Sequence, residues 1–497
     1  MLGDPDVTDS TAIPDTTEAE LDRVLTAAAA AAPAFGALRP GERGAMLRAV
    51  ADALDAAADD LVPIARAESR LPEARCRGEL ARTTFQLRLF ADVLDEGSYL
   101  EVAVDTADPG WGMGPRPDVR RMLVPLGPVV VFGASNFPFA FSTAGGDTAS
   151  ALAAGCPVVV KGHPGHPRLA ERTGAVVARA LRAAGAPDGV FAVVFGEETG
   201  RRAVLHPRTA AVGFTGSIPG GRALHDLAAS RAEPIPFYGE LGSVNPVFVT
   251  RAAAAARAAE ILGGYLDSFT LGAGQFCTKP GVLLVPEGTR LDGLVAQTAE
   301  RAAAPLLNDR VTTGHAARLA ELADHPATEV LVRGGAGADG WTPALLRTDA
   351  AALLAHGEAL LGECFGPTSL VAGYSDEEQL VAVAQRLQGQ LTATVHAEPG
   401  DPVAARLLAV LTERAGRVLW NGWPTGVSVT HAMTHGGPYP ATTSVLHTSV
   451  GTTAIRRFLR PVSYQSVPQE LLPEAVRDGN PLNLPRRVNG VLDPPRS

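Results

Sequence analysis

Short apolar segments alternate with helical stretches through the first half of the chain. Four of them, at residues 129–132, 158–160, 191–195 and 211–214, are rich in Val, Phe and Ala, and each ends in a polar or glycine-containing loop. Their apolar residues are continuous and do not alternate with polar ones, which predicts parallel strands covered by helices on both faces. Because ligands bind at the carboxyl ends of such strands, this part of an α/β protein is predicted to bind a nucleotide.

The length of the chain predicts more than one domain. Hydrophobic cores stop growing near ~250–300 residues, and this chain has 497. We predict a cofactor domain formed by residues 1–104 and 124–241, in which a helical layer precedes the parallel sheet. A second α/β domain is predicted at 242–440, with strands near 282–285, 329–332 and 391–396.

A Gly- and Pro-rich arm and a proline-punctuated tail flank these domains. The arm covers residues 105–123 and the tail covers 461–497. Neither segment has an apolar pattern that would let it pack alone, so both are candidates for pairing with another subunit. A disordered tail is the alternative. The expected assembly is a homodimer or a dimer of dimers.

Charge and composition narrow the class of partner. The net charge is −10 with both signs interleaved, whereas nucleic-acid binding needs Lys and Arg gathered on one face. No stretch reaches the ~20 apolar residues that span a bilayer, and the first residues are acidic, unlike a signal peptide. We therefore expect a cytoplasmic protein that binds small molecules and contacts neither nucleic acid nor membrane.

The cysteines and histidines do not indicate a metal site. Cys76, Cys156, Cys277 and Cys364 are far apart in sequence and form no CxxC pair, so zinc sites and disulfides are not expected. His163 and His166 form an HxxH, but each precedes a proline, which places them on a loop. A solvated loop is favoured there over metal ligation.

Two residues are candidates for thiol-based acyl chemistry. Cys277 lies in Gly274-Gln275-Phe276-Cys277-Thr278, where backbone N–H groups could stabilise a thiolate; a buried structural cysteine is the alternative. Glu240 follows the apolar run 234–238, where partial desolvation would raise its pKa and suit it to activating water. A solvated glutamate is the alternative there.

Further candidates follow the predicted strands. Asn136 comes just after 129–132 and could donate to an oxyanion, or simply stabilise a turn. Lys161 ends the segment 158–160, at the edge where ligands bind, or is an exposed lysine. The turn Phe214 to Gly221 follows a strand and opens a helix, which suits a pyrophosphate, although it contains no GxGxxG.

Six segments together resemble the aldehyde dehydrogenase superfamily, in the family's order along nearly the whole chain. They are Ser135-Asn136-Phe137-Pro138, Val160-Lys161, Phe214-Thr215-Gly216-Ser217, Glu240-Leu241-Gly242, Gly274-Gln275-Phe276-Cys277 and Glu363-Cys364-Phe365-Gly366-Pro367. The resemblance implies a Rossmann-type cofactor domain, a second α/β catalytic domain and a small oligomerisation arm.

The resemblance also implies a role for each matching residue. Cys277 would be the nucleophile, Asn136 with the Cys277 backbone N–H the oxyanion hole, and Glu240 the activator of water against a thioester. The residues implied to bind NAD(P) are Lys161, His163, Pro164, Phe214, Gly216, Ser217, Gly221, Leu241, Glu363 and Phe365. Those implied to line the substrate pocket are Phe137, Ala144, Phe276, Thr278 and Trp423.

Longer stretches refine the resemblance within the superfamily. Residues 141–150, 161–167, 421–427 and 435–440 look like the α-ketoglutaric semialdehyde dehydrogenase branch and its NADP-dependent fatty-aldehyde relatives. The semialdehyde enzyme is placed first and the fatty-aldehyde enzyme second.

A few single residues lead to predictions about which cofactor is preferred and how the substrate is bound. Where NAD-preferring members commonly have a ribose-binding glutamate this chain has Pro164, and Lys161 with His163 could attract a 2′-phosphate, so NADP is expected to be preferred and NAD accepted. Ala144, where the family often has an aromatic residue, predicts a wide pocket. Lys279 is a hypothetical anchor for a substrate carboxylate, with a solvated lysine as the alternative.

Three other functions compete with a hydrolytic dehydrogenase. A CoA-acylating dehydrogenase would not need Glu240, and a non-catalytic relative would be expected to lose Cys277 or Asn136. A cysteine hydrolase would need a histidine base, and only distant histidines such as His431 or His435 are available. Turnover of a nicotinamide cofactor with an aldehyde and no CoA distinguishes these functions.

Overall fold

The predicted helical layer at the N-terminus is confirmed. The computed structural model describes residues 13–495, so the acidic start at 1–12 and the last two residues of the tail lie outside the described residues. The layer consists of α1 (Glu18–Gly36), α2 (Pro40–Ala56), α3 (Ala58–Ser69) and α4 (Glu73–Glu96). Thr17 fixes the start of α1, because its hydroxyl accepts from the N–H of Glu20 while the Glu20 carboxylate accepts from the N–H of Thr17.

The first sheet is the parallel sheet that the apolar segments predict. Two strands of the arm precede it, β1 (Ala103–Asp105) and β2 (Val119–Pro125). The sheet and its helices are then β3 (Val129–Phe132), α5 (Gly146–Ala154), β4 (Val158–Lys161), α6 (Pro167–Ala183), β5 (Phe191–Val194), α7 (Glu197–Leu205), β6 (Ala211–Thr215), α8 (Ile218–Ala229) and β7 (Phe237–Glu240). Its strand order is β5-β4-β3-β6-β7, and every neighbouring pair is parallel. The order reverses at β3, which opens a ligand crevice at the carboxyl ends of the strands.

The second unit is built on a seven-stranded mixed sheet. Its elements are β8 (Val247–Val249), α9 (Arg251–Thr270), β9 (Val282–Pro286), α10 (Asp292–Glu300), α11 (Asp309–Ala323), β10 (Glu329–Gly337), β11 (Gly340–Asp349), α12 (Ala350–Leu360), β12 (Thr368–Tyr374), α13 (Glu378–Arg386), β13 (Gln390–His396), α14 (Pro402–Arg414) and β14 (Ala415–Trp420). The strand order is β10-β11-β12-β9-β8-β13-β14, with only β10 antiparallel to its neighbour. The three strands predicted for this unit are confirmed as β9, β10 and β13.

The arm and the tail form a third sheet within the chain. Its strands are β15 (Leu459–Gln465), which begins two residues before the predicted tail, and β16 (Arg486–Val488) and β17 (Val491–Asp493) within it, and the order is β15-β2-β1-β16-β17. The alternative of a disordered tail is therefore wrong for the described residues up to 495. The backbone groups of β1 and β2 supply hydrogen-bond partners that the tail strands lack on their own. Within residues 13–495 no helix is both long enough and apolar enough to cross a membrane.

Candidate active site

The first sheet brings the predicted site residues to one edge. Asn136 follows β3, Lys161 ends β4, Ser217 follows β6 and Glu240 ends β7. Because these strands are parallel neighbours, their carboxyl ends lie side by side at the crevice where the strand order reverses. The sequence prediction that these residues share one site is consistent with this topology.

The loop that carries Cys277 belongs to the second unit and is tightly bent. Helix α9 ends at Thr270, and a short turn from Leu271 to Gly274 leads into the loop. Gly274 has a φ of +65°, and a Cβ there would lie 2.2 Å from the carbonyl oxygen of Gly366. Only glycine permits both this conformation and this approach, so Gly274 lets the loop pack on the segment after Glu363.

The side chain of Asn245 holds the loop that carries Cys277 through hydrogen bonds to its backbone. Its side-chain amide donates to the carbonyl oxygens of Cys277 at 2.8 Å and of Lys279 at 3.0 Å. Its own amide oxygen accepts from the hydroxyl of Thr392 at 2.8 Å, and its backbone has a φ of +51°. Because Asn tolerates this left-handed conformation better than most residues, it can fix the carbonyl of Cys277 and the carbonyl two residues further on.

Asn136 faces the same loop from the first unit. Its Nδ2 donates to the carbonyl oxygen of Gln275 at 3.2 Å, two residues before the candidate nucleophile. The turn after Asn136 is held by the buried carboxylate of Glu79, which accepts from the N–H groups of Phe139 at 2.8 Å and Ala140 at 3.0 Å. The amide is therefore placed where it can donate to an oxyanion formed beside Cys277.

A histidine lies between the two predicted catalytic residues. Nε2 of His435 is 3.4 Å from Sγ of Cys277 and 2.8 Å from Oε1 of Glu240. His435 and Glu240 are almost fully buried, whereas Cys277 is half-buried. Among the described residues, this trio is the one group of His, Cys and acidic side chains whose ligand atoms are close enough to share an ion. One ring nitrogen of His435 faces both the sulfur and the carboxylate, so the three groups can share a proton.

The environment of Glu240 corrects one prediction. Burial raises the pKa of its carboxyl group, as the apolar sequence before it suggested, but the charge and hydrogen bond of His435 and the hydroxyl of Ser449 act in the opposite direction and prevail. The pKa is therefore lowered, and Glu240 is ionised at neutral pH. A cavity of about 20 Å³ borders its side chain, which is room for roughly one water molecule.

The thiol of Cys277 is neutral in this setting. Burial raises its pKa well above the usual range, and the negative charge of Glu240 raises it further. A thiolate therefore forms only if a base removes the proton, and Nε2 of His435 is the nitrogen at hydrogen-bond distance from the sulfur.

The turn from Phe214 to Gly221 begins α8 as predicted. The hydroxyl of Ser217 accepts from the N–H of Gly220 at 3.3 Å and caps the helix. A Cβ at Gly221 would lie 2.1 Å from the side chain of Leu241, so glycine is needed for the helix to approach the segment after β7. The helix start and Leu241 thus border one cleft, with the positive end of the helix dipole facing it.

Lys161 and His163 differ in their capacity to bind an anion. The Lys161 side chain is largely buried, which lowers its pKa, and the charges of Glu197, Arg310 and Asp15 act on it. Burial lowers the pKa of His163 far more, with help from His166, Lys161 and Arg310, so this ring is uncharged at neutral pH. Its Nδ1 accepts from the N–H of Gly165 at 2.9 Å. Without a bound ligand His163 supplies no positive charge, and its part in binding a 2′-phosphate stays a prediction.

The HxxH segment is a loop as predicted, but the expectation that the loop is solvated is wrong, because His166 is buried and His163 is half-buried. The rings of His163 and His166 stack with centroids 5.4 Å apart, and Nε2 of His166 bonds to the carbonyl oxygen of Ala134 at 2.8 Å. Pro164 is exposed between them. Each histidine therefore has a partner within the protein, and His166 ties this loop to the turn that carries Asn136.

Glu363 and Phe365 lie across the cleft from the first sheet. Burial raises the pKa of Glu363 to about 7, and the charge of Lys279 opposes this shift. A Cβ at Gly242 would lie 2.6 Å from Oε2 of Glu363, so Glu363 packs directly on the chain that leaves β7. Phe365 is half-buried. Glu363 thus lies against the first unit, and the contact of both residues with a cofactor stays a prediction.

Aromatic side chains surround the approach to Cys277. Phe137 and Phe276 pack edge to face with ring centroids 5.5 Å apart, and Phe141 and Val427 belong to the same buried cluster. The hydroxyl of Thr278 accepts from the N–H of Gly426 at 3.1 Å, which fixes one wall of this cluster. The predicted pocket residues Phe137, Phe276 and Thr278 are thus brought together, and their contact with substrate stays a prediction.

Three other residues that the sequence analysis assigned to substrate binding have different surroundings in the structure. Ala144 is buried in the main core of the first unit, and Trp423 packs on Tyr265 and His396 in the second. The ammonium of Lys279 donates to the carbonyl oxygens of Cys364 at 2.8 Å and Thr368 at 2.6 Å. The hypothesis that Lys279 anchors a substrate is therefore wrong, because its buried donors already hold the backbone.

Sequence reasoning missed the residues that contact the predicted catalytic groups or the loops that carry them. His435 appeared as a distant base for a competing hydrolase and within the stretch 435–440 that resembles the semialdehyde enzymes, without a role in the dehydrogenase, and Asn245, Glu79 and Ser449 were not considered. His435 is 158 residues from Cys277 along the chain, so no spacing pattern links them. The available signals were the resemblance at 435–440 and the polar cluster Thr434-His435-Gly436-Gly437 within an otherwise irregular segment.

Comparisons with known proteins agree with this geometry. The chain is 46% identical over 488 residues to alpha-ketoglutaric semialdehyde dehydrogenase 2 of Azospirillum brasilense, covering 96% of this chain and 92% of the relative. It is 44% identical to alpha-ketoglutaric semialdehyde dehydrogenase of Acinetobacter baylyi, with the same two coverages. The solved structure of aldehyde dehydrogenase 21 from Physcomitrella patens, in complex with the reaction product succinate, superposes with a TM-score of 0.76 at 22% identity, covering 91% of each chain.

The family profile matches the part of the chain that carries most of the predicted site residues. The profile described as "Aldehyde dehydrogenase family" covers residues 6–325, which include Asn136, Lys161, Glu240 and Cys277. Members of this family oxidise aldehydes with NAD(P), and the sequence resemblance to the superfamily is confirmed. The chain belongs to the aldehyde dehydrogenase family.

Proposed function

We propose that this protein oxidises α-ketoglutaric semialdehyde to 2-oxoglutarate with NADP, through a thioester on Cys277 that water hydrolyses. The observation that carries the proposal is the contact of His435 with both Cys277 and Glu240, in a chain 46% identical to an enzyme named for this substrate. The first sheet is assigned to cofactor binding and the second unit to catalysis.

Acylation begins with removal of the thiol proton. The pair formed by His435 and Glu240 takes it: Nε2 of His435 faces both Sγ and Oε1 of Glu240, so the nitrogen and the carboxylate share one proton and act as the base together. The sulfur then attacks the aldehyde carbon. The oxygen that becomes negative is held by Nδ2 of Asn136 and the N–H of Cys277, an assignment supported by the position of Asn136 beside Gln275.

The cleft fits a dinucleotide. One continuous edge is lined by the start of α8 that Ser217 caps, by Gly221, which leaves room for the Leu241 side chain, and by the largely buried Lys161. No hydrogen bond joins the Lys161 ammonium to residues 13–495. Lys161 would hold the adenosine ribose, the turn at Ser217 the pyrophosphate, and Glu363 with Phe365 the nicotinamide ribose. The bound nicotinamide supplies the hydride acceptor for the oxidation.

Glu240 completes the reaction as general base. Its lowered pKa keeps the carboxylate available at neutral pH, and Ser449 fixes the oxygen that does not face His435. It takes a proton from the water that attacks the thioester, and Cys277 leaves as the thiol. A CoA-acylating enzyme would not need this base, so its presence favours hydrolysis.

NADP preference is supported by the cations near the adenosine end. Lys161 and Arg310 act on the same site, and Pro164 stands where a ribose-binding carboxylate would repel a 2′-phosphate. Glu197 is also close to Lys161 and opposes this effect, so NAD is expected to be a weaker cofactor and not an excluded one.

Pro164→Glu should shift the preference from NADP to NAD. Pro164 is exposed, so the new carboxylate can form without disturbing the core, and at ~4 Å it would cost roughly 1–4 kcal/mol against a 2′-phosphate. We expect kcat/KM with NADP to fall about tenfold or more while kcat/KM with NAD holds or rises. Pro164→Gln, which has the same size without the charge, is the matched control. Equal losses with both cofactors would contradict the assignment.

A substrate panel tests the proposed activity. Purified protein is assayed by absorbance of the reduced nicotinamide, without CoA, on α-ketoglutaric semialdehyde, succinic semialdehyde, glutaraldehyde and medium-chain aldehydes. We expect the highest kcat/KM for α-ketoglutaric semialdehyde. A clear preference for a medium-chain aldehyde would instead assign the chain to the fatty-aldehyde alternative.

The third sheet supports a proposed homodimer. Its outer strand β17 exposes Val491 and Leu492, which are 70% and 63% accessible. An apolar, unpaired strand edge is a surface that another chain covers readily. A dimer of dimers is the alternative, and the mass in solution distinguishes the two.

A further inference from the structure

One face of α4 carries charged side chains into the aromatic cluster around Cys277. Arg75, Glu79 and Arg82 are spaced so that all three lie on the same side of the helix. The guanidinium of Arg75 is 4.5 Å from the ring centroid of Phe137, and that of Arg82 is 5.8 Å from the centroid of Phe141. Charged groups are rarely buried among aromatic rings unless they are paired, so each cation needs an explanation.

Arg75 is explained by its neighbour. Its Nε lies 3.5 Å from Oε2 of Glu79, whose other oxygen accepts from the turn after Asn136. The positive and negative charges offset each other in the same turn of helix. Arg75 thus helps Glu79 to hold that turn, and no ligand is required to account for it.

Arg82 is not explained in this way. Its Nη1 donates to the carbonyl oxygen of Val427 at 2.5 Å, but its Nε and Nη2 are buried without a hydrogen-bond partner among the described residues. These two nitrogens form one edge of the planar guanidinium, the edge that binds a carboxylate through two parallel hydrogen bonds. Buried donors without acceptors are costly, so an acceptor that arrives with a ligand would stabilise them.

The position of Arg82 matches the reacting centre. Burial lowers the pKa of its guanidinium, and the charges of Glu79 and Glu240, with that of Cys277 once it is a thiolate, act in the opposite direction. Its partner Val427 belongs to the same apolar cluster as Phe137, Phe141 and Phe276. The unpartnered edge is therefore in the dry surroundings of the nucleophile, where a charge pair is stronger than in water.

The other cation near the nucleophile is already engaged. Arg417 donates from Nη1 to the carbonyl oxygen of Gly426 at 3.0 Å and from Nη2 to that of Pro424 at 2.5 Å. Both terminal nitrogens hold the wall that Thr278 also fixes, so only Nε lacks a partner. Arg417 therefore offers no complete edge, and Arg82 is the better ligand for a carboxylate.

We propose that Arg82 binds the carboxylate of a short oxo-acid substrate through Nε and Nη2 and thereby selects acidic semialdehydes over neutral aldehydes. The inference rests on the proposed function and names the residue that recognises its substrate. In a five-carbon semialdehyde four carbon–carbon bonds of ~1.5 Å separate the aldehyde from the carboxylate, a reach of roughly 5 Å. The aldehyde can then lie at Cys277 while the carboxylate lies at Arg82.

The test compares Arg82→Met with the unaltered protein on two substrates of equal length, α-ketoglutaric semialdehyde and pentanal. We expect KM for the semialdehyde to rise about 10- to 100-fold, because a charge-assisted double hydrogen bond is lost, while KM and kcat for pentanal change less than about twofold. Arg82→Lys should fall between the two. Arg88→Met is the matched control, since Arg88 is on the same helix and pairs at the surface with Asp52 and Asp55.

Inhibition by glutarate tests the same contact without the semialdehyde. Glutarate should compete with pentanal in the unaltered protein, and its Ki should rise at least about tenfold in Arg82→Met. If Arg82 only supports Val427, the variant will lose pentanal turnover and semialdehyde turnover equally, with Ki unchanged, and the inference is overturned. Failure of the unaltered protein to oxidise the semialdehyde would instead overturn the proposed function.

Discussion

Cys277→Ala should abolish aldehyde oxidation while leaving the fold and cofactor binding intact. The sulfur forms the only covalent bond to the substrate in the proposed reaction, and removal of a nucleophile of this type costs at least about 10⁴-fold in kcat, or roughly 5–6 kcal/mol of transition-state stabilisation. The half-buried side chain of Cys277 is small, so truncation leaves little cavity. Reduced-nicotinamide absorbance measures the rate, and fluorescence titration with NADPH measures cofactor binding.

Cys76→Ala is the matched control. This cysteine is buried in the N-terminal layer, where its pKa is raised to about 11 by burial, and it touches none of the catalytic groups. We expect it to retain activity. Turnover by Cys277→Ala within about tenfold of the unaltered protein would exclude Cys277 as the nucleophile.

Glu240→Gln should separate the two halves of the reaction. Gln keeps the size of the side chain and can still bond to Ser449, but it cannot accept a proton from water. Hydrolysis of the thioester should slow by about 10²–10⁴-fold, so reduced cofactor should appear as a burst of about one equivalent per site before a slow steady rate. Stopped-flow absorbance resolves the burst, and mass spectrometry of the quenched protein detects the acyl group on Cys277.

A carboxylate outside the site provides the comparison for this variant. Glu68 accepts from the N–H groups at the start of α6, and Glu68→Gln should keep the steady-state rate without a burst. Loss of the burst in Glu240→Gln would show that Glu240 acts before the thioester forms. In that case its main role would be to support His435 in activating the thiol.

Much of the site could be predicted because its residues follow strands. Asn136, Lys161, Ser217 and Glu240 each stand at the end of an apolar segment, and parallel strands place such ends at one edge. A local pattern was enough to predict this part of the site, because residues at the same position relative to neighbouring parallel strands lie close together in space. The mixed sheet of the second unit was likewise visible in its apolar segments near β9, β10 and β13.

Contacts between distant segments could not be predicted in the same way. His435 reaches Cys277 and Glu240 only because the irregular segment after β14 folds back over both units, and no periodicity governs such a path. The lowered pKa of Glu240 depends on that contact, which is why burial alone suggested the wrong direction. The prediction that Lys279 anchors a substrate failed for a related reason. Its closeness to Cys277 in sequence does not determine which way its ammonium points.

The strands of the tail could not be predicted from the tail sequence alone, because they form by pairing with strands of the arm. Read alone, residues 461–497 have too few apolar positions to form a stable unit. In the structure β15 pairs with β2 and β16 pairs with β1, so strands that are distant in the chain complete each other. Pairing between strands so distant in the chain cannot be recognised from the sequence of either segment alone.

The most direct test of the proposed chemistry is to follow a limited amount of α-ketoglutaric semialdehyde to completion with NADP and no CoA. Reduced cofactor is measured by absorbance and 2-oxoglutarate by an independent assay. We expect the two products in a one-to-one ratio for the unaltered protein and neither for Cys277→Ala. No reduced cofactor from this semialdehyde, with active protein that oxidises a neutral aldehyde of similar length, would contradict the proposal.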